Sequence, residues 1–350
     1  MMAKYQGKYR FSFGPWNIHE GEDPFGPAVR KPETFAKKLQ VAKDLGFDGV
    51  QFHDDDVSPD IDSKSHSEVM KDAKKVRKML DNAGLKAEFV APRLWFAKET
   101  IDGAYTSNDP KCRKYAVERS KQAVDIMNVL GTSTMVMWLA REGSYVRESK
   151  NPRVEVLQIR DAFNALLEYD SKLMILVEPK PNEPVDSAII PTIGHAVGLG
   201  FLTVDPARCG CLVETAHSVL AGLDPADDMA YALAFNKLKS VHLNDQTGLK
   251  FDQDKTFGSV DLRRAFNQVR VLEEYAYGRN GEWVGLDVKV LRTQKQKVNT
   301  KHLAYSKRNF LALLDKVATL DRNIEAQLVK ERDYEELNHY ITCHLMGLKY

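Results

Sequence analysis

Charge of one sign is what this 350-residue sequence lacks most plainly: 50 lysines and arginines stand against 49 aspartates and glutamates, a net charge of +1. There is no basic field to recruit nucleic acid or an anionic membrane. Cysteine is scarce too, with four residues, Cys112, Cys209, Cys211 and Cys343. None has zinc-ribbon spacing, and Cys209-Gly210-Cys211 is too close for a CxxC redox pair, so reduced structural thiols are expected. No apolar run approaches the roughly 20 residues of a membrane span. Met1 to Phe11 carries lysines and tyrosines but no apolar stretch suited to a signal peptide. These absences favour a soluble, cytoplasmic protein with neither nucleic-acid nor membrane partners. Low-complexity linkers are missing as well. No GxGxxG follows the first apolar run, which argues against an open dinucleotide-binding sheet.

What is present is organised around Val177-Glu178-Pro179-Lys180-Pro181-Asn182-Glu183-Pro184, which follows the apolar run Leu173–Leu176. A buried strand ending in Glu and Lys must hand both charges to partners. The prolines remove backbone donors and stop the strand. Similar runs recur at Tyr9–Phe13, Gly49–Phe52, Ala87–Ala91, Thr134–Met137, Cys211–Val213, Lys239–Leu243 and Val284–Leu286. Helix-like segments lie between them: Pro32–Leu45, Ser67–Ala83, Cys112–Leu130, Val154–Tyr169, Ser187–Leu199, Pro225–Ala234 and Leu262–Tyr277, with Gly46, Gly84, Gly131 and Gly200 read as stops. Eight alternations of β and α imply a parallel sheet closed into a (β/α)8 TIM barrel. Two further stretches, Lys301–Leu320 and Ile324–Leu345, supply the closing helix and a short C-terminal helical extension. The expected division is a catalytic barrel over 1–322 and the extension over 323–350.

In such a barrel the chemistry sits where the strands end. Strand 2 ends in Phe52-His53-Asp54-Asp55-Asp56, strand 4 at Trp138, strand 5 at Glu178 with Lys180, strand 6 at Glu214 with His217, strand 7 at His242 and strand 8 at Asp287. Asp252-Gln253-Asp254 adds two more carboxylates after strand 7. So many carboxylates and imidazoles on one rim would repel one another unless cations sat among them. An oxygen-rich set with one or two imidazoles suits Mg²⁺, Mn²⁺ or Co²⁺. Trp16, Trp95 and Trp138 fall on the same rim, where aromatic faces can stack on sugars and exclude water. Singly, each has a plainer reading: the aspartate run as a solvated turn, His217 as a local cap, the tryptophans as core.

These stretches resemble the xylose isomerase family, closest to its shorter, actinobacterial-type class. The likeness runs over about residues 9–293 and rests on Phe11-Ser12-Phe13-Gly14-Pro15-Trp16, Asp23-Pro24-Phe25-Gly26, His53-Asp54-Asp55-Asp56, Trp138 with Arg141-Glu142-Gly143, Glu178 to Pro184, Pro191 to His195, and Gly248 to Asp254. Asp287, Lys289 and Arg292 continue it. The resemblance implies that an aldose ring opens near His53 and Asp56. One metal would sit on Glu178, Glu214 and Asp287, and a second on Glu214, His217, Asp252 and Asp254. A hydride would then pass between C1 and C2, with Lys180 stabilising the oxygen at C1. It further implies a cis peptide at Glu183-Pro184. It also implies a homodimer or homotetramer in which Phe25 completes the neighbouring subunit's pocket.

The departures are specific. The family has Asp where this chain has His242, Thr-Asn where it has Pro92-Arg93, Phe at Trp95 and Asn at Leu212, and its C-terminal tail is longer. The expected function is a dimetal aldose–ketose isomerase acting on D-xylose, with His242 completing the first metal site and Trp16, Trp95, Trp138, Phe25 and Arg93 contacting the sugar. His242 also suits related barrels that act on other sugars, L-rhamnose isomerases or ketose epimerases. A non-catalytic sugar-binding barrel and a metal-dependent endonuclease are further alternatives, countered by the intact ligand set with Lys180 and by the missing basic field.

Overall fold

The structure, a computed structural model, describes residues 9–23 and 25–350; residues 1–8 and Pro24 of the Asp23-Pro24-Phe25 motif lie outside the described residues. Among the described residues, eight strands close into a parallel barrel: β1 Arg10–Phe13, β2 Gly49–His53, β3 Lys86–Ala91, β4 Thr134–Trp138, β5 Met174–Glu178, β6 Cys209–Glu214, β7 Leu238–Leu243 and β8 Trp283–Leu286. They follow one another in chain order around the ring, with β8 pairing back onto β1. The expected (β/α)8 TIM barrel is what this chain forms.

Ten longer helices among the described residues surround or extend it, besides two short ones at Asp54–Val57 and Thr215–Leu220: α1 Phe35–Asp44, α2 His66–Ala83, α3 Pro110–Leu130, α4 Pro152–Tyr169, α5 Ile193–Phe201, α6 Pro225–Ala234, α7 Leu262–Glu274, α8 Lys301–Thr319, α9 Arg322–Glu331 and α10 Tyr334–Met346. Their ends follow local chemistry. Ser65 and Glu68 form a reciprocal capping box at the start of α2, and Gly84 ends it at φ 71°. α8 closes the barrel by setting Phe310 edge-on against Tyr9 and Phe11, at centroid distances of 5.0 and 5.4 Å. Burying such a side chain contributes roughly 1.5–3 kcal/mol. No helix among the described residues is long and apolar enough to cross a membrane.

Three expectations are corrected. The segment expected as helix from Ser187 starts at Ile193 instead, because Pro191 disfavours helical backbone before it; Ser187–Ala188 pairs with Gly143–Ser144 in a small antiparallel ribbon. Gly200 is not a stop but lies inside α5, where a Cβ would meet that of Cys209 at 3.3 Å; it serves the close approach of α5 to β6. The final helix is two, broken where Arg332 turns left-handed at φ 56° and Asp333 caps α10 through the Glu336 N–H. Both pack on the barrel, and Leu328, Tyr340 and Ile341 join the main core. The Glu183-Pro184 peptide is cis, as the resemblance implied.

Candidate active site and metal centre

Strand register sets the site. Trp138 pairs with Glu178 across β4 and β5, and Glu214 pairs with His242 across β6 and β7, so these side chains reach the rim together. His217 lies in a short helix, Thr215–Leu220, three residues beyond Glu214 and therefore on the same side. All seven expected ligands, Glu178, Glu214, His217, His242, Asp252, Asp254 and Asp287, line one cavity of about 210 Å³ with His53, Lys180, Trp16, Arg93, Trp95 and Trp138. Its floor is apolar: Phe89, Ala91 and Val136 face it, and Leu176 and Leu212 pack with them. The outer mouth opens into a second cavity of about 500 Å³ that shares Trp95, Trp138 and Lys180.

The ligand groups form two sets joined by Glu214. His242 Nδ1 lies 3.7 Å from Glu178 Oε1, 3.5 Å from Glu214 Oε2 and 4.0 Å from Asp287 Oδ2. His217 Nε2 lies 3.3 Å from Glu214 Oε1 and 3.1 Å from Asp252 Oδ2. Glu178, Glu214 and His242, and separately Glu214, His217 and Asp252, can each bring ligand atoms within 4.8 Å of one another. The remaining two are held by protein. Asp287 Oδ1 accepts from the Trp16 indole at 2.9 Å and from Asn17 at 3.0 Å, while Asp254 is tied to Lys289 and to Asn244.

Several buried atoms in these sets have no hydrogen-bond partner: Glu214 Oε2, Asp252 Oδ1, His217 Nδ1 and both ring nitrogens of His242. An unsatisfied buried polar group costs about 1–3 kcal/mol, so a cluster of them needs an explanation. Electrostatics points the same way. Burial, with Asp252 and Glu178 close by, pushes the Glu214 carboxyl well above the usual carboxylate range. Burial and Asp252 do the same to Asp254. Glu178 is held below its usual range although burial opposes this, because His242 and His217 face it. A divalent cation in each set would satisfy the orphaned atoms and remove the repulsion, and the donors fit one.

Lys180 is a buried ammonium. Its Nζ lies 2.9 Å from Asp252 Oδ2, 3.0 Å from Glu183 Oε2 and 5.1 Å from the centre of the Trp138 ring. Burial alone would lower its pKa, but Asp252 and Glu183 outweigh it and hold the charge on. Trp95 and Trp138 meet edge to face at 4.5 Å, forming one wall. Phe25 stands apart: it is 82% exposed, touches Phe251, and does not line its own chain's cavity.

His53 closes β2 and opens a one-turn helix, Asp54–Val57. The Asp56 carboxylate accepts the His53 backbone N–H at 2.9 Å and lies 3.1 Å from Nδ1. The ring is clamped between Trp16, at 4.2 Å, and Trp95, at 5.2 Å. Asp54, wholly buried, anchors the turn from below through two bonds from Arg119, at 2.6 and 3.1 Å. Arg93 leans in from the end of β3, with its Nη2 at 2.6 Å from His53 Nδ1 and 3.5 Å from Asp56 Oδ1.

Sequence reasoning gave no role to Asn17, Asn244, Lys289 or Glu88. Asn244 and Lys289 each lie two residues beyond a ligand, a spacing that puts both on one face of an extended chain. Glu88 had no such signal. It sits inside the barrel, accepting from Ser12, Gln51 and Ser240 in a buried polar layer.

Solved structures share this architecture. A D-tagatose 3-epimerase-like protein superposes at TM-score 0.62 over 88% of this chain and 99% of its own, with 14% identity. The 3-keto-D-glucoside 4-epimerase of E. coli does so at TM-score 0.61 over 86% of this chain and all of its own, with 13% identity. The IOLI protein with a bound zinc atom gives TM-score 0.61 over 89% of this chain and 100% of its own, also with 13% identity. At these identities the likeness is one of fold. A family model described as a xylose isomerase-like TIM barrel matches residues 39–275, well over half the chain, taking in His53, Lys180 and every expected ligand except Asp287. On that match, the chain belongs to the xylose isomerase-like TIM barrel family.

Proposed function

We propose that this protein is a metal-dependent sugar isomerase of the aldose–ketose type, with D-xylose to D-xylulose as the lead reaction. One observation carries the reading: a buried ammonium, Lys180, faces the same small, tryptophan-walled cavity as two linked ligand sets. Glu178, Glu214, His242 and Asp287 would hold one divalent ion, and Glu214, His217, Asp252 and Asp254 a second, with Mn²⁺, Co²⁺ or Mg²⁺ as candidates. Bound there, such ions supply Lewis acidity to adjacent sugar oxygens. The chain's own groups do the rest. Lys180 sets a fixed positive charge beside the oxygen where negative charge develops. Trp16, Trp95 and Trp138 position the sugar and keep water from the reacting carbons. The homo-oligomer implied by Phe25 and the soluble setting belong to the same reading.

A second reading, epimerisation of a ketose, is favoured by His242, whose imidazole replaces a carboxylate in the first ligand set, and by the epimerases among the structures of like fold. One experiment separates the two. Metal-stripped protein is reloaded with Mn²⁺ and offered a panel of aldoses and ketoses in D₂O, and products are read by NMR. Aldose–ketose conversion without solvent deuterium supports the hydride-shift isomerase; epimers carrying deuterium support the second reading. No conversion of any sugar, with the metal shown to be bound, would leave a sugar-binding barrel.

A further inference from the structure

His53 and Arg93 together carry a consequence that neither carries alone. A guanidinium has donors and no acceptor, so Arg93 Nη2, at 2.6 Å from His53 Nδ1, can only donate to it, and it lies nearer than the competing Asp56 carboxylate oxygen at 3.1 Å. Nη2 has two hydrogens. One serves Nδ1 and the other points to Asp56 Oδ1 at 3.5 Å, so the cation bridges the imidazole and the carboxylate. Asp56 Oδ2 already takes the His53 backbone N–H and does not need the ring as a donor. Arg93 is itself fixed. It follows Pro92 two residues past Ala91, the register partner of His53, and its backbone N–H donates to Asp54 at 3.0 Å. Asp55 lies 3.1 Å from its Nε.

A neutral imidazole with Nδ1 accepting carries its proton on Nε2. The Nδ1 edge is engaged with Arg93 and Asp56, and Trp16 and Trp95 hold the ring, which lines the cavity. We infer that Arg93 is a positioning residue that fixes His53 as an Nε2–H hydrogen-bond donor to the substrate rather than a proton acceptor. An Nε2–H can polarise a carbonyl oxygen but cannot take the hydroxyl proton of a closed sugar ring. His53 can therefore serve ring opening only as a donor to the ring oxygen, and the anomeric hydroxyl proton would have to leave to another acceptor. That consequence rests on the proposed isomerase or epimerase reading; the protonation pattern of His53 does not.

The test is spectroscopic and needs no substrate. Protein labelled with ¹⁵N at histidine is examined near pH 7.5 by long-range proton–nitrogen correlation, with His53 assigned from the signal lost in His53→Gln. Wild type is expected to show Nε2 protonated and Nδ1 bare. Arg93→Met is expected to move the proton to Nδ1, facing Asp56, and Arg93→Lys to keep the wild-type pattern. A wild-type Nδ1 that carries a proton, alone or together with Nε2, would overturn the inference, as would an Arg93→Met spectrum unchanged at His53. If Arg93→Met does not fold, the wild-type spectrum decides alone. Failure to convert any sugar would count against the isomerase reading and leave this result standing.

Discussion

His302 offers a prediction whose size follows from the structure. It lies on α8, 8% exposed, with Nε2 donating to the Asn17 carbonyl at 2.8 Å. Asn17 in turn holds Asp287, so this contact sits directly behind an expected ligand. Burial brings its pKa down from 6.5 to about 4, the bond to Asn17 opposing only in part. The folded state thus binds fewer protons than the unfolded state between these values. The stability this neutral ring contributes is fully present above pH 6.5 and is lost as pH falls through 6.5 towards 4. Two and a half pH units at about 1.4 kcal/mol each give a loss of about 3 kcal/mol by pH 4. The assay is urea unfolding followed by tryptophan fluorescence, from pH 7.5 to 4, in a chelating buffer. Wild type is compared with His302→Gln, whose amide can still donate to Asn17 but does not titrate. Subtracting the two curves cancels the carboxylates that unfold any protein in acid. The wild type should lose about 3 kcal/mol more than the variant across this range. Curves that run parallel would refute the reasoning.

Lys180→Met should leave the fold and metal content intact while lowering turnover on the order of 10²–10³-fold; normal steady-state turnover would remove Lys180 from the mechanism. His242 places a nitrogen among the first ligands, so activity should rank Mn²⁺ or Co²⁺ above Mg²⁺, and His242→Asp should move the preference towards Mg²⁺. Titrating stripped protein with each ion reads this, and equal responses in both proteins would mean His242 is not a ligand. A Cβ on Gly285 would lie 2.4 Å from Gln51 Nε2 and 3.0 Å from the His242 ring. Gly285→Ala should therefore displace His242, lowering metal affinity by calorimetry and costing about 1–3 kcal/mol of stability; unchanged affinity would argue that His242 is free to move. Sedimentation should find a dimer or tetramer, and a fully active monomer would dismiss Phe25 as a shared residue.

The barrel was legible because its strands are buried on both faces and read as continuous apolar runs, with turn-forming glycines between. The ligands were legible because strand ends point to one rim, so a list of terminal residues is already a spatial list. What stayed hidden depends on contacts across the chain. Two-residue strands such as Gly143–Ser144 have no period to detect. Arg332 takes a left-handed turn without being glycine, so nothing in its type marked the break between α9 and α10. Arg93 stood out as a departure from the family pattern and was read as a sugar contact. Its hold on His53 depends on the register between β2 and β3.

The small ribbon after β4 and β5 reaches further than its size suggests. Gly143 crosses so close to Ser187 that a Cβ would lie 2.2 Å from the Ser187 carbonyl oxygen, and its φ is 147°. The neighbouring Glu142 carboxylate accepts the backbone N–H groups of Ala104, Tyr105 and Thr106 at 2.9–3.1 Å, and its carbonyl accepts from Ile189 at 3.0 Å. Three successive βα loops are therefore fastened into a single belt around one side of the mouth. Barrels usually diversify one loop at a time, each loop a free module on a constant frame. In this chain an insertion in any of the three would be felt by the other two. A specificity transplanted from another barrel would have to bring the belt whole, so this side of the mouth can be inherited only as a unit.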